Sequence, residues 1–492
     1  MKLASSLFLA VVLAGGVVPL AQAVSTPPVA PAAQPLVSME DGLRQVIDEA
    51  LTANLELRAS GATVQQRLAA LDQARARYLP VIDFAARYSV ADGGRTIDFP
   101  VGDLLNPVYE TLDQMLVAQG QSPRFPRVQN QSIALLRDQE QETKLVLEQP
   151  IYEPRIGPAV NATRADAARA EADLAALRSQ VIRDVKQAYY RWIAAQQAVT
   201  VLDATLAATR ENLRANASLY RNGKVTRDLV YRAEADVLEV EQERLATASR
   251  VRIAQSYVNL LRNAPLSQSL PNAALDAETI ERFRTRLLSA LAGRNVDTLK
   301  LQDLASQRRE ELKSLDAAIA VGEARQDLAR AAFKPSLAFG AEAGIQGTEY
   351  GFADEDRYVL ASLVLRFNAF RGGADQAALR EARALTDQLR STRELAGQRV
   401  RLEVQQALEN FEVAEASLDT AAKRAEAATG AFTITSRKRD LGQINQAEFI
   451  DARRAQTDAQ LNVTRVRAEY LARLAELEFS IGDARRMDRE RM

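Results

Sequence analysis

The stretch YLPVIDFAARYSV, residues 78–90, breaks the pattern of the chain around it. Its surroundings are Ala-, Leu-, Arg- and Glu-rich and read as long helix. At Pro80 the period drops to two: Ile82, Phe84, Ala86, Tyr88 and Val90 fall on one side, and Asp83, Ala85, Arg87 and Ser89 on the other. Such alternation is the signature of a half-buried strand. FKPSLAFGAEAGI, residues 333–345, repeats the device, with Leu337, Phe339, Ala341, Ala343 and Ile345 on one face. A mainly helical chain therefore inserts strands, and does so twice.

The two insertions belong to an internal repeat. Tyr78 and Pro80 recur as Phe333 and Pro335, and TKLVLEQPIY (143–152) recurs as ASLVLRFNAF (361–370). Each half thus reads as strand, loop, second strand, then helix. We place the strands at about 79–90 and 142–151 in the first half, and at about 335–346 and 357–368 in the second.

The helix after each second strand is long. Apolar residues in the first run Val181, Val185, Ala188, Trp192 and onward to Leu213, Ala217 and Tyr220, in steps of three and four. That spacing averages near 3.5, as a left-handed coiled coil requires. A shift of 219 residues carries Val181 onto Val400, and each seam position as far as Leu213 has its counterpart, counting Thr209 opposite Ala428. Both helices stop at a similar phrase, GKVTRDLVYRA from Gly223 and GQINQAEFIDA from Gly442, with glycine at the usual position past a helix C-terminus. Returning helices reach about Arg262 and Ile481. A helix from Ile156 to Asn222 would be roughly 100 Å long at about 1.5 Å per residue, a length suited to a rod, tube or tether.

These readings divide the chain. Residues 1–23 have the layout of a secretory signal peptide: Lys2, an apolar run from Leu7 to Val18, and an A-x-A site ending at Ala23. Residues 24–38 form a Pro-rich leader. Repeat 1 spans 39–262, with a hairpin tip near 223. Residues 263–295 hold a linker and a short amphipathic helix, Ala273–Asn295. Repeat 2 spans 296–482, with a tip near 442, and 483–492 is a charged tail. The loop of about 91–141 is Gly/Pro-rich, contains a short helix in NPVYETLDQMLVAQG (106–120), and is too long to be left unpacked.

Composition narrows the function. The 63 basic and 64 acidic residues nearly cancel, so no global basic field points to nucleic acid. There is no cysteine and no histidine, which removes disulfides, thiol chemistry and the commonest general base and metal ligand. No phosphate-binding loop or catalytic constellation occurs, and we expect no enzyme activity, cofactor or metal site. Beyond the N-terminal run, no stretch has the about 20 apolar residues a membrane-crossing helix needs.

Strands of about ten residues do suffice to cross a membrane, provided a closed barrel pairs every backbone group. The usual minimum is about eight strands. Four strands per chain cannot close alone, but several chains could pool theirs. The alternative is an exported structural or adhesive protein, a coiled coil with a small β head and no pore.

The chain resembles the TolC family of outer-membrane efflux proteins. The resemblance rests on the two halves, the YLP and FKP strand openings, LEQPIY before the first long helix, and above all GQINQAEFIDA. It implies a homotrimer in which four strands per chain build a twelve-stranded barrel in outer-membrane lipid, continued by a periplasmic tube of coiled-coil hairpins. It also implies the exit duct of a tripartite efflux or type I secretion system. The partners would be a periplasmic adaptor (membrane-fusion) protein and an inner-membrane pump of RND, ABC or MFS type.

Two sites follow from the resemblance. Glu448 and Asp451, three apart on one helix face, match the acidic rings that line the closed periplasmic entrance. Gly223, Val225, Gly442 and Ile444 mark the hairpin tips where an adaptor would dock. The first half departs from the pattern, with Leu229 opposite Glu448 and Arg232 opposite Asp451. Ile444 and Arg439 stand where other members carry an Arg and a Tyr that help lock the entrance. A different latch is therefore expected, for which Arg227, Arg232, Arg437 and Arg439 are the candidates.

Overall fold

A computed structural model describes residues 38–290 and 297–483. The expected signal peptide, most of the Pro-rich leader and most of the charged tail lie outside the described residues.

The chain opens with α1 (Met39–Ala53) and α2 (Leu55–Ala76), which enter β1 (Val81–Val90). A ribbon of β2 (Thr96–Phe99) and β3 (Gln131–Ala134) flanks α3 (Val101–Ala118), and β4 (Gln139–Tyr152) then leads into α4 (Ile156–Arg221) and α5 (Arg227–Leu261). After α6 (Ala277–Ala290) the order recurs: α7 (Thr298–Arg308), α8 (Glu310–Ala331), β5 (Ser336–Gly347), β6 (Arg357–Arg366), α9 (Ala374–Asp440) and α10 (Gln446–Ser480). Counterparts match in length. Both α2 and α8 have 22 residues, α5 and α10 have 35, and α4 and α9 have 66 and 67.

The four long strands form one antiparallel sheet in the order β1-β4-β5-β6. Cross-strand partners such as Arg87↔Glu142, Val146↔Glu342 and Gly344↔Tyr358 share a face. That face is charged. Lys144 Nζ lies 3.0 Å from Glu142 and 3.2 Å from Glu342, and Arg87 reaches Glu142 at 3.3 Å. The other face is apolar and uncovered: Phe84 is 70 % exposed, Val359 82 % and Leu363 67 %. Among the described residues β1 and β6 each pair on one side only. No described helix is long and apolar enough to cross a membrane.

Away from the sheet, midway along α4 and α9, the long helices bury a seam. Val181, Val185, Trp192, Val404, Phe411 and Leu471 belong to one core cluster, closed by stacked Tyr189 and Trp192 and by the tilted pair Phe411–Tyr470. The seam changes character towards the hairpin tips. On α4 its buried positions become Thr205, Thr209, Asn212 and Asn216, while Tyr220 is exposed.

Three expectations shift. The helix expected over 106–120 starts earlier, at Val101, because Asn130 caps its first turn by accepting the Asp103 N–H at 3.1 Å. The strand placed at 142–151 extends to Gln139–Tyr152 and carries a bulge between Pro150 and Tyr152, where proline has no N–H to give to the ladder. The helix expected from Ala273 begins at Ala277, since Asp276 accepts the Thr279 N–H at 2.7 Å as an N-cap. That bond holds the Asp276 carboxyl below its ordinary pKa. The part of the expected helix beyond residue 290 lies outside the described residues.

Candidate functional site

The ends of the two helical hairpins lie at the opposite end of α4 and α9 from the sheet. Both are closed by the same backbone device. At the first, Gly223 N–H donates to Tyr220 O and Lys224 N–H to Leu219 O; at the second, Gly442 N–H donates to Arg439 O and Gln443 N–H to Lys438 O. This is the paired bonding of a Schellman motif, which needs a left-handed residue at the glycine position. The glycines supply it, with φ of 68° and 71°. Both are exposed, and an added Cβ would meet nothing within 4 Å. Their requirement is conformational, and space around them is free. Val225 and Ile444 are half-buried just beyond them.

The second tip then starts α10 with an asparagine N-cap. Asn445 Oδ1 accepts the Glu448 N–H at 2.9 Å, and Asn445 Nδ2 donates back to Glu448 Oε1 at 3.0 Å. Glu448 therefore holds the helix start while remaining exposed. Asp451 is also exposed, one turn on. The first tip has no such side-chain cap: Leu229 occupies the matching position, and Thr226 directs its hydroxyl to the side chain of Asp228.

The four arginine candidates separate. Arg439 is built in. Its guanidinium lies 4.1 Å from the centroid of the Phe449 ring, and it donates to Asp440 at 2.8 Å and to Asn212 of α4 at 3.5 Å. It therefore ties α9 to both α10 and α4. Arg227 covers its own neighbour Tyr231 at 5.1 Å, Arg232 reaches Asp228 at 4.0 Å, and Arg437 is exposed on the last turn of α9.

Two helical turns deeper sits a pair that sequence reasoning missed. Arg453 of α10 donates to Asp236 of α5 at 2.5 Å, with both side chains almost fully buried. Arg454 reaches from the exposed side to Asp236 at 3.8 Å and also pairs with Glu239. Burial pushes the Asp236 carboxyl above its ordinary pKa, and the neighbouring Arg453 and Arg454 charges offset this only in part. Nearby, the hydroxyls of Thr205 on α4 and Thr457 on α10 also join the hairpins, at 3.1 Å. The missed signal is a charge on an apolar stripe: Asp236 lies between Ala233 and Val240, and Arg453 between Phe449 and Thr457, all buried.

The tips thus present a polar, hydrogen-bonded end whose two hairpins are joined side by side. Glu448 and Asp451 stand on one hairpin only.

Comparison with known proteins accounts for the arrangement. Residues 301–483 match the outer membrane efflux protein family. No curated protein matches the sequence. In structure, the chain resembles the CmeC outer membrane channel of Campylobacter jejuni (TM-score 0.72, 16 % identity, 90 % of this chain and 86 % of that one). It also resembles the outer membrane protein VceC of Vibrio cholerae (TM-score 0.69, 16 % identity, 90 % and 96 %). A further match is the open state of the MtrE outer membrane channel of Neisseria gonorrhoeae (TM-score 0.66, 17 % identity, 90 % and 89 %). Residues 301–483 thus match the outer membrane efflux protein family, and the described chain as a whole shares the fold of these outer membrane channels.

Proposed function

We propose that three copies of this chain close a twelve-stranded barrel in the outer membrane and a periplasmic helical tube beneath it. The assembly would serve as the exit duct of a tripartite efflux or type I secretion system. The observation that carries this reading is the sheet. It has one charged face, one bare apolar face and two unpaired edges, at the end of helices 66 and 67 residues long. Unpaired strand edges are not tolerated in lipid, so the sheet must close on further strands. With its apolar face towards lipid, the cluster of Arg87, Glu142, Lys144 and Glu342 lines the lumen.

On this reading residues 39–262 and 296–482 are two copies of one unit, joined by 263–295, and 483–492 is a tail. The tips at Gly223, Val225, Gly442 and Ile444 face the periplasmic adaptor, beyond which lies the inner-membrane pump. Glu448 and Asp451 from three copies put six carboxylates around one entrance. Such a ring attracts cations.

The test is conductance. Purified protein added to a planar bilayer should open discrete channels. A rod with a β head, the alternative reading, gives none while keeping its strand and helix content.

A further inference from the structure

A groove of about 710 Å³ lies between α4, α5 and the linker that follows α5. Gln196, Gln197 and Thr200 of α4, Val251 of α5, and Asn272 and Ala273 of the linker line it, and none of its described lining residues is charged. Its α4 and linker walls come from two uncharged stretches of sequence, 192–202 and 263–275, in a chain of which 26 % is charged. The groove that α4, α5 and α10 form is by contrast ionic, with Arg191, Glu243, Arg465 and Glu469 on its walls. A charged guest in the uncharged groove would lose water and gain no partner, so the groove selects an uncharged one.

The groove also holds unused hydrogen-bonding groups. The side-chain amides of Gln196, Gln197 and Asn272 bond to nothing among the described residues, and each residue is half-buried. An extended proline-rich chain suits such walls. A polyproline II backbone has no internal hydrogen bonds and leaves its carbonyls to outside donors, which amide NH₂ groups supply. It is also extended before it docks, so ordering it costs little entropy.

The chain supplies such a guest at the right place. Residues 24–37, VSTPPVAPAAQPLV, hold four prolines and no charge. They lie outside the described residues and lead into Ser38, the N-cap of α1. One turn further on, Gly42 sits against the linker: a Cβ there would come within 3.2 Å of the Pro271 side chain. Asn272, the next residue, is part of the groove wall. Length is sufficient. A polyproline II segment of fourteen residues spans roughly 43 Å at about 3.1 Å per residue, and the α4 wall runs only from Gln196 to Val201. A helix of a second copy is a poorer guest, because the exposed faces of α5 and α9 carry charges throughout their length.

We propose that the Pro-rich leader, residues 24–37, docks in the groove of its own chain, with its carbonyls on Gln196, Gln197 and Asn272. Docked there, it fastens the linker and the start of α1 to the first helical hairpin. The proposal does not depend on the barrel.

The chain has no native cysteine, so engineered pairs can be read cleanly. Ala30→Cys with Ala248→Cys places one thiol in the leader and one in the groove. Ala30→Cys with Leu260→Cys is the control, its second thiol exposed on α5 outside the groove. The full-length protein in detergent is treated with a short bismaleimide, and linked tryptic peptides are measured by mass spectrometry. Linkage at Ala248→Cys should exceed that at Leu260→Cys several times, and Thr200→Lys, which puts a charge in the groove, should abolish the excess. Equal linkage at the two sites, or an excess that survives Thr200→Lys, would overturn the proposal. Assemblies mixed from isotopically heavy and light chains separate the copies. Links that join heavy to light peptides would give the groove to a neighbour's leader and overturn docking within one chain.

Discussion

Asp236 and Arg453 join the two hairpins through an ion pair of 2.5 Å whose side chains are 2 % and 4 % exposed. The neighbouring contacts of Arg454 with Asp236 and Glu239 come from the exposed side. The pair sits among alanine, valine and threonine positions, so neither charge has bulk water to turn to if its partner goes. It helps to hold the tips side by side, within about a turn and a half of Glu448 and Asp451 on α10.

Removing one partner should therefore cost more than removing an exposed pair. Asp236→Ala leaves the Arg453 charge buried and unpaired, a loss of about 3–5 kcal/mol against about 0–1 for a surface bridge such as Arg210–Glu241. Thermal unfolding of the two variants measures the difference. Equal, small shifts for Asp236→Ala and Glu241→Ala would contradict the buried role.

The pair also gives the tips a pH dependence of defined sign. Burial raises the Asp236 carboxyl above its ordinary value, against the pull of Arg453 and Arg454 and with Glu239 adding to the rise. A raised folded-state pKa means that the contribution of Asp236 is fully present below the unfolded value, about 3.9, and is lost as pH rises through the folded value. The difference in melting temperature between the native chain and Asp236→Asn should fall as pH is raised from about 4 towards neutrality. A difference that grows over that range would mean that the ion pair outweighs desolvation.

Gly442 has a conformational duty that can be separated from docking. Gly442→Ala strains a residue at φ 71°, at a cost of roughly 1–2 kcal/mol, yet places its Cβ in open space. Trimers should form and export should persist. Gly442→Trp adds the same strain and a bulky group at the proposed adaptor surface, so export should be lost with the trimer intact. If both substitutions abolish export equally, the effect is the cap and not the docking surface.

Glu448 does two things, and Gln separates them. A glutamine Oε1 can accept from Asn445 Nδ2 as the carboxylate does, and the Asn445 cap takes the backbone N–H of residue 448, so Glu448→Gln keeps both bonds to Asn445 and loses only the charge. Combined with Asp451→Asn, it should weaken cation selectivity and block by divalent cations from the periplasmic side, with helix content unchanged. A mere surface charge would show only an effect that fades as salt passes about 0.1 M. Identical block in native and doubly substituted channels would remove the ring from the account.

Much of this fold was legible because its periods are long and regular. The alternation of Ile82, Phe84 and Ala86 and the 3.5-residue spacing from Val181 onward each leave a single reading. The glycine that ends each long helix was equally plain. What escaped depends on partners distant in sequence. The start of α3 is set by Asn130, which caps Asp103 from 27 residues away, and nothing local to Val101 announces it. The polar turn of the seam at Thr209, Asn212 and Asn216 was masked by Leu213 and Ala217, which keep the apolar spacing while the buried stripe drifts past them. Asp236 and Arg453 lie 217 residues apart, and a charge on an apolar stripe declares that it is buried without naming its partner.

Subunit mass tests the central claim most directly. Among the described residues one sheet holds the four long strands, with β1 and β6 each lacking a neighbour on one side, and its apolar face is left bare. Native mass spectrometry of protein released from a mild detergent should give three chains per particle, with strand content by infrared spectroscopy equal to that in membranes. A monomeric particle that keeps its full strand content would contradict the account.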